Sequence, residues 1–156
     1  MYLIYWDACV FLSYINGEHG RVEVISQLLT DVASREGTKI VTSAMTKVEV
    51  AYGSAEKCGR ALDPATEDAI ESLWDGYECI VTVEFHDAIA LDARGLMRKA
   101  IEEGRKLRPM DAIHLATAAW VGAKEFHTYD PRILKYPVAG SYKISEPFVG
   151  QSRLPL

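Results

Sequence analysis

Along the chain, short apolar runs alternate with longer segments whose apolar residues recur at helical spacing. Residues 2–6 are aromatic and β-branched and stop at Asp7, which predicts a buried first strand. Phe11, Leu12 and Ile15 fall at helical spacing, and Asn16-Gly17 ends that helix. Over residues 22–35 a second helix is predicted, with Val22, Ile25, Leu28, Leu29 and Val32 on one face and Gly37 just beyond. Residues 39–42 read as the second strand, and Ser43 as the N-cap of a helix carrying Glu49. Pro64 opens a helix toward Trp74, where the missing N–H of a first-turn proline costs nothing. Residues 79–83 form the third predicted strand. Helices follow over 86–103, closed by Gly104, and over 111–121, started by Pro109; the fourth strand spans 125–129. Beyond Asp130-Pro131 the pattern weakens to an edge strand at 142–144. The order predicts a three-layer α/β/α domain over residues 1–146 with a central parallel sheet of four to five strands. A tail over 147–156 follows.

Composition agrees with one domain. The chain has 156 residues, 49% of them hydrophobic and 25% charged, enough to bury a core without disulfides or a structural metal. Seventeen basic against 22 acidic residues leave a net charge of −5, so contact with a polyanion requires a local basic patch. Cys9, Cys58 and Cys79 are odd in number and lack a C-x-x-C pair. They speak against a disulfide framework or zinc knuckle and for a reducing compartment. The apolar N-terminal run is too short for a signal peptide, and the longest apolar stretch, 112–123, includes His114 and falls short of a membrane span. A cytoplasmic protein without membrane contact is expected.

In open parallel sheets, sites form outside the carboxyl ends of the strands. Asp7 and Asp130 each follow a predicted strand, and Asp111 opens a helix that should start at the same edge. Singly, each has a structural reading: Asp7 as an N-cap, Asp111 as a charge on a helix dipole, Asp130 as a turn opener before Pro131, Glu49 as a solvated helix residue. The neighbourhoods alter this for two of them. Glu49 lies between Val48 and Val50, and Asp111 opens the apolar run Ala112-Ile113-His114-Leu115-Ala116. Acids among apolar residues must be paired, protonated or bound to a cation. For four carboxylates on one rim the simplest partner is a divalent ion, and all-oxygen ligation suits Mg²⁺ or Mn²⁺.

The segments YWDACVFLSYING, SAMTKVEVAYG, RPMDAIHLATA and FHTYD resemble those of the PIN-domain nucleases, and within them the VapC-type toxins of bacterial toxin–antitoxin pairs. They occur in the family's order and cover most of the chain as far as Asp130; the acid before the AIHLATA helix is the most specific of them. The resemblance implies a metal-dependent endoribonuclease, a hydrolase that leaves 5′-phosphate and 3′-hydroxyl ends. Asp7, Glu49, Asp111 and Asp130 would be its metal-binding acids with Mg²⁺ or Mn²⁺, and Thr128 the hydroxyl that supports the site. Single-stranded or looped RNA is the implied substrate, since its backbone enters a shallow rim without duplex constraints. A homodimer and a partner antitoxin are implied as well. The family usually follows its first Asp with Ser or Thr and then Asn; Ala8 and Cys9 stand here instead, which removes a small polar group but no carboxylate. Alternatives are a PIN nuclease that processes RNA or DNA without being a toxin, and a non-catalytic PIN-like binding module.

A compensating basic patch is present. Arg94, Arg98, Lys99, Arg105, Lys106 and Arg108, against Glu102 and Glu103, give residues 94–108 a charge of +4 and leave −9 elsewhere. The segment runs into Asp111 and would guide phosphates to the metal; equally, Arg98–Glu102 and Lys99–Glu103 pairs would make it a solvated helix face. His114, one turn after Asp111, reads as a core or supporting histidine rather than a ligand. His19, His86 and His127 lack metal-ligand spacing. Asp92 reads as structural, and Trp6, Trp74 and Trp120 as core residues. A dehalogenase-type phosphatase would need a second Asp where Cys9 stands, and no glycine-rich nucleotide loop occurs.

Overall fold

The computed structural model describes residues 1–137 and 140–150. These form five strands, β1 (Tyr2–Trp6), β2 (Thr38–Ser43), β3 (Ile80–Val83), β4 (Glu125–His127) and β5 (Lys143–Ser145), and eight helices. The helices are α1 (Ala8–Ile15), α2 (Arg21–Ala33), α3 (Thr46–Glu49), α4 (Ser54–Gly59), α5 (Pro64–Asp75), α6 (Asp87–Glu102), α7 (Pro109–Trp120) and α8 (Pro131–Leu134). All strand pairs are parallel, in the order β3-β2-β1-β4-β5. Among the described residues no helix is long and apolar enough to cross a membrane.

β1 lies at the centre of the sheet and is apolar on both faces, as a strand covered on both sides requires. Ile4 and Trp6 face Phe11 of α1, Ile25, Leu28, Leu29 and Val32 of α2, and Ile70 and Leu73 of α5. Tyr5 faces the opposite layer, with Ile89 and Ala93 of α6, Leu115 and Ala116 of α7, and Phe126 of β4. The pleat thus divides one strand between two cores, and each large side chain fully buried there contributes roughly 1.5–3 kcal/mol. The fold is the expected three-layer α/β/α arrangement with five strands, and the edge strand after residue 140 pairs with β4.

Local differences from the sequence reading fall mainly in the short elements, although Trp120, read as core, is 53% exposed where α7 ends. The helix bearing Glu49 is a single turn that starts at Thr46. Ser43 ends β2 instead of capping that helix, and its Oγ accepts the Met45 N–H at 3.2 Å in the turn between them. α4 and α8, of six and four residues, had no periodic signal. β4 stops at His127, so Thr128 and Tyr129 lie beyond the ladder. Gly17, at φ +59, ends α1 in a left-handed conformation that other residues rarely adopt. Within the expected tail over 147–156, Pro147 is buried and the Phe148 ring sits 5.8 Å from that of His127; its residues 151–156 lie outside the described residues.

Candidate active site

The parallel sheet sends the carboxyl ends of β1, β2 and β4 to one edge, and Asp7, Glu49 and Asp130 follow those three strands. Asp7 is extended (φ −83, ψ 176) and caps α1. Its Oδ1 accepts the Cys9 backbone N–H at 3.2 Å and the Cys9 thiol at 2.8 Å. The residue is 7% exposed. Burial pushes its carboxyl above the ordinary aspartate range, against the opposing pull of donors from Cys9 and Thr128 and of nearby His114.

Cys9 ties Asp7 to the end of β4. Its Sγ is 3.2 Å from Thr128 Oγ1 and accepts the Tyr129 N–H at 3.2 Å. Burial and the Asp7 charge push the thiol upward, so it remains a protonated donor. Thr128, wholly buried, accepts the Asp130 N–H at 2.9 Å. Thr128 thereby links Cys9 to the next acid, Asp130.

Asp130 caps α8 and accepts three donors from Arg132: the backbone N–H at 2.9 Å, Nε at 3.0 Å and Nη2 at 2.5 Å. The Arg132 guanidinium, foremost, holds its carboxyl below the usual range. Asp111, in the first turn of α7, receives Arg108 Nε at 2.8 Å and Nη2 at 3.2 Å. The same Arg108 Nη2 lies 3.5 Å from Asp130 Oδ2, so one guanidinium spans both acids. Glu49, at the end of α3, has Oε2 2.6 Å from His114 Nε2 of α7.

The structure therefore links four of the five expected residues through short contacts: Asp7 to Thr128 through Cys9, Thr128 to Asp130, and Asp130 to Asp111 through Arg108. Glu49 contacts His114, on the same helix as Asp111. No three His, Cys, Asp or Glu side chains among the described residues already stand at metal-binding separation. Arginines hold Asp111 and Asp130, the rim acids, while buried Asp7 draws on Cys9, Thr128 and the Val10 backbone as donors. Of the six expected basic residues, Arg108 meets the acids. Lys99 and Arg105 both pair with Glu103, Lys99 at 3.9 Å, and Arg105 lies over the Tyr136 ring at 4.7 Å. Arg94, Arg98 and Lys106 are exposed.

Sequence reasoning missed Cys9, Arg132 and Tyr5 as parts of this array. Arg132 had a local signal, since an arginine two residues after an N-cap aspartate can fold back on it. Cys9 stands two residues after Asp7, but its contacts with Thr128 and Tyr129, like that of Tyr5 with His114, join positions distant in the chain and had no signal.

The fold is similar to those of several solved proteins. DNA-bound VapBC from Salmonella typhimurium matches with a TM-score of 0.67 at 18% identity, covering 94% of this chain and 98% of that one. VapBC-5 from Mycobacterium tuberculosis, a member of the VapBC family of toxin–antitoxin systems, matches with a TM-score of 0.59 at 17% identity over 94% and 99% of the two chains. VapC20 from the same organism, a sarcin-ricin loop cleaving toxin, gives 0.60 at 15% identity over 83% and 92%. At such identities the likeness is one of fold. No curated protein matches the chain. The PIN domain model matches residues 4–139, nearly the whole described body and all five candidate residues. The chain belongs to the PIN domain family, the nuclease family its motifs resemble.

Proposed function

We propose that this protein is a divalent-cation-dependent endoribonuclease and the toxin of a toxin–antitoxin pair. The observation that carries the reading is the contiguous acidic array at one sheet edge, with the Arg108 guanidinium lodged between Asp111 and Asp130. A guanidinium there is a stand-in cation: it sits where two carboxylates require positive charge. The donor set is all oxygen, which fits Mg²⁺ or Mn²⁺.

Asp7, Glu49, Asp111 and Asp130 would hold the ion or ions. When bound, a divalent cation supplies an activated water and neutralises charge gathering on the phosphoryl group. The chain's own residues do the rest. Cys9 and Thr128 orient Asp7 and Asp130 through the contacts described. Arg108 presents a planar fork that pairs with a phosphate diester as it does with a carboxylate. The exposed Arg94, Arg98 and Lys106 add attraction for the RNA backbone, and Lys99 and Arg105 share theirs with Glu103. The choice of RNA rests on the motif resemblance. So do the homodimer and the antitoxin partner, the last consistent with relatives solved as VapBC complexes; the cytoplasmic setting rests on the free cysteines Cys9, Cys58 and Cys79. The nuclease domain spans 1–146 in this reading, and 147–156 form its tail.

The test is cleavage of labelled single-stranded RNA with and without Mn²⁺ or Mg²⁺, beside Asp7→Asn and Asp111→Asn. The expected result is cation-dependent cleavage to 5′-phosphate ends, abolished by EDTA and by either substitution. Cleavage that persists in EDTA would overturn the metal mechanism. A wild-type protein that binds no divalent ion and cuts no RNA would favour the non-catalytic module.

A further inference from the structure

One buried histidine stands behind the acidic edge. α7 places Asp111 and His114 three residues apart and hence on one face. Asp111 stays at the rim, while His114 is 3% exposed. Both nitrogens of so buried a ring need partners. Nδ1 is 2.7 Å from Tyr5 Oη, and Nε2 is 2.6 Å from Glu49 Oε2.

Tyr5 Oη also accepts the backbone N–H of Ser43 at 3.2 Å, so Ser43, Tyr5, His114 and Glu49 form one chain of hydrogen bonds. A carboxylate accepts, so His114 Nε2 is the donor toward Glu49. The chain is also stiff. Tyr5 is fully buried and stacks on Phe126 at 5.0 Å, with His114 edge-on to it at 5.8 Å. Glu49, by contrast, ends a one-turn helix and its side chain is 26% exposed, so its own element does little to fix it.

We propose that His114, held by Tyr5, is a positioning residue that fixes the Glu49 carboxylate for a divalent cation. The inference rests on the reading of Glu49 as a cation ligand given above. Outer partners of this kind typically change metal affinity by about 10–100-fold.

The experiment measures Mn²⁺ binding calorimetrically on full-length protein, well below each variant's melting temperature, with circular dichroism as the check of folding. Glu49→Gln should weaken Mn²⁺ binding. His114→Leu should weaken it by about 10–100-fold, and His114→Gln, whose amide can still donate to Glu49, should restore part of the loss. Tyr5→Phe keeps the stacked ring and removes only the hydroxyl; it should weaken binding by a few-fold and serves if His114→Leu does not fold. In a Glu49→Gln background, His114→Leu should add nothing. If Glu49→Gln weakens binding while His114→Leu and Tyr5→Phe leave it at the wild-type level, the positioning role alone is overturned. If the wild type binds no Mn²⁺, or Glu49→Gln has no effect, the ligand reading of Glu49 fails and this inference falls with it.

Discussion

Cys9 shows how far one side chain can depart from a family pattern and keep its job. By sequence, Ala8-Cys9 removes a polar group next to Asp7. In the fold the thiol donates to Asp7 and accepts the Tyr129 N–H, so it supplies the missing polarity. We expect Cys9→Ser to keep kcat/KM on RNA within a few-fold and Cys9→Ala to lower it by about tenfold or more; equal rates for all three proteins would show the thiol to be a bystander. Asp7 carries a second consequence. Its folded-state pKa is raised chiefly by burial, so the native state binds the proton more tightly than the unfolded chain. For the metal-free protein, this group's stabilising effect is full below the ordinary aspartate pKa and is lost as pH rises through the raised one. Asp7→Asn should therefore raise the melting temperature in EDTA at neutral pH and flatten its decline from acid, while abolishing cleavage. A lower melting temperature for the variant at neutral pH would contradict burial as the dominant cause.

At the scale of elements, the periodic helices were legible, and of the short ones only the helix carrying Glu49 was expected. α2, α5, α6 and α7 lie within a few residues of their expected bounds, because twelve or more residues show a full hydrophobic period. α3, α4 and α8 hold four to six residues, too few to show one, and tertiary contacts rather than propensity sustain them. Glu56 illustrates how. Its buried carboxylate accepts the Gly53 N–H at 2.9 Å and the Asp63 N–H at 2.7 Å, joining the start of α4 to the cap of α5. Glu56→Ala strands two amide donors and should destabilise the fold by roughly 2–3 kcal/mol. Denaturant unfolding that shows less than about 0.5 kcal/mol would mean that water replaces the carboxylate.

For the whole molecule, an acidic chain acting on a polyanion depends on where its few free cations lie. Sequence placed six together; the fold ties Lys99 and Arg105 to Glu103 and brings Arg108 to the acids. Arg108→Ala should raise KM for RNA and reduce the salt slope of binding by about one. Arg105→Ala should leave that slope unchanged. Salt-titrated binding to the catalytically silent Asp111→Asn protein reads both, and equal slopes for the Arg108 and Arg105 variants would return the patch to a diffuse role.

The sequence alone determined the layered fold, the central first strand's apolar character and the acids at one edge. These follow from local signals: strand ends and helix starts are written in neighbouring residues, and a parallel sheet sends all its carboxyl ends to the same side. What each acid touches was decided only in three dimensions. Glu49 meets His114 across 65 positions, and Cys9 meets Thr128 across 119. No periodicity spans such separations, because hydrophobic pattern specifies which face of an element is buried and not which polar group waits on the element opposite. The Arg108 bridge to Asp130, the thiol's link to Thr128 and the contacts of Glu49 and Tyr5 with His114 therefore belong to the tertiary structure.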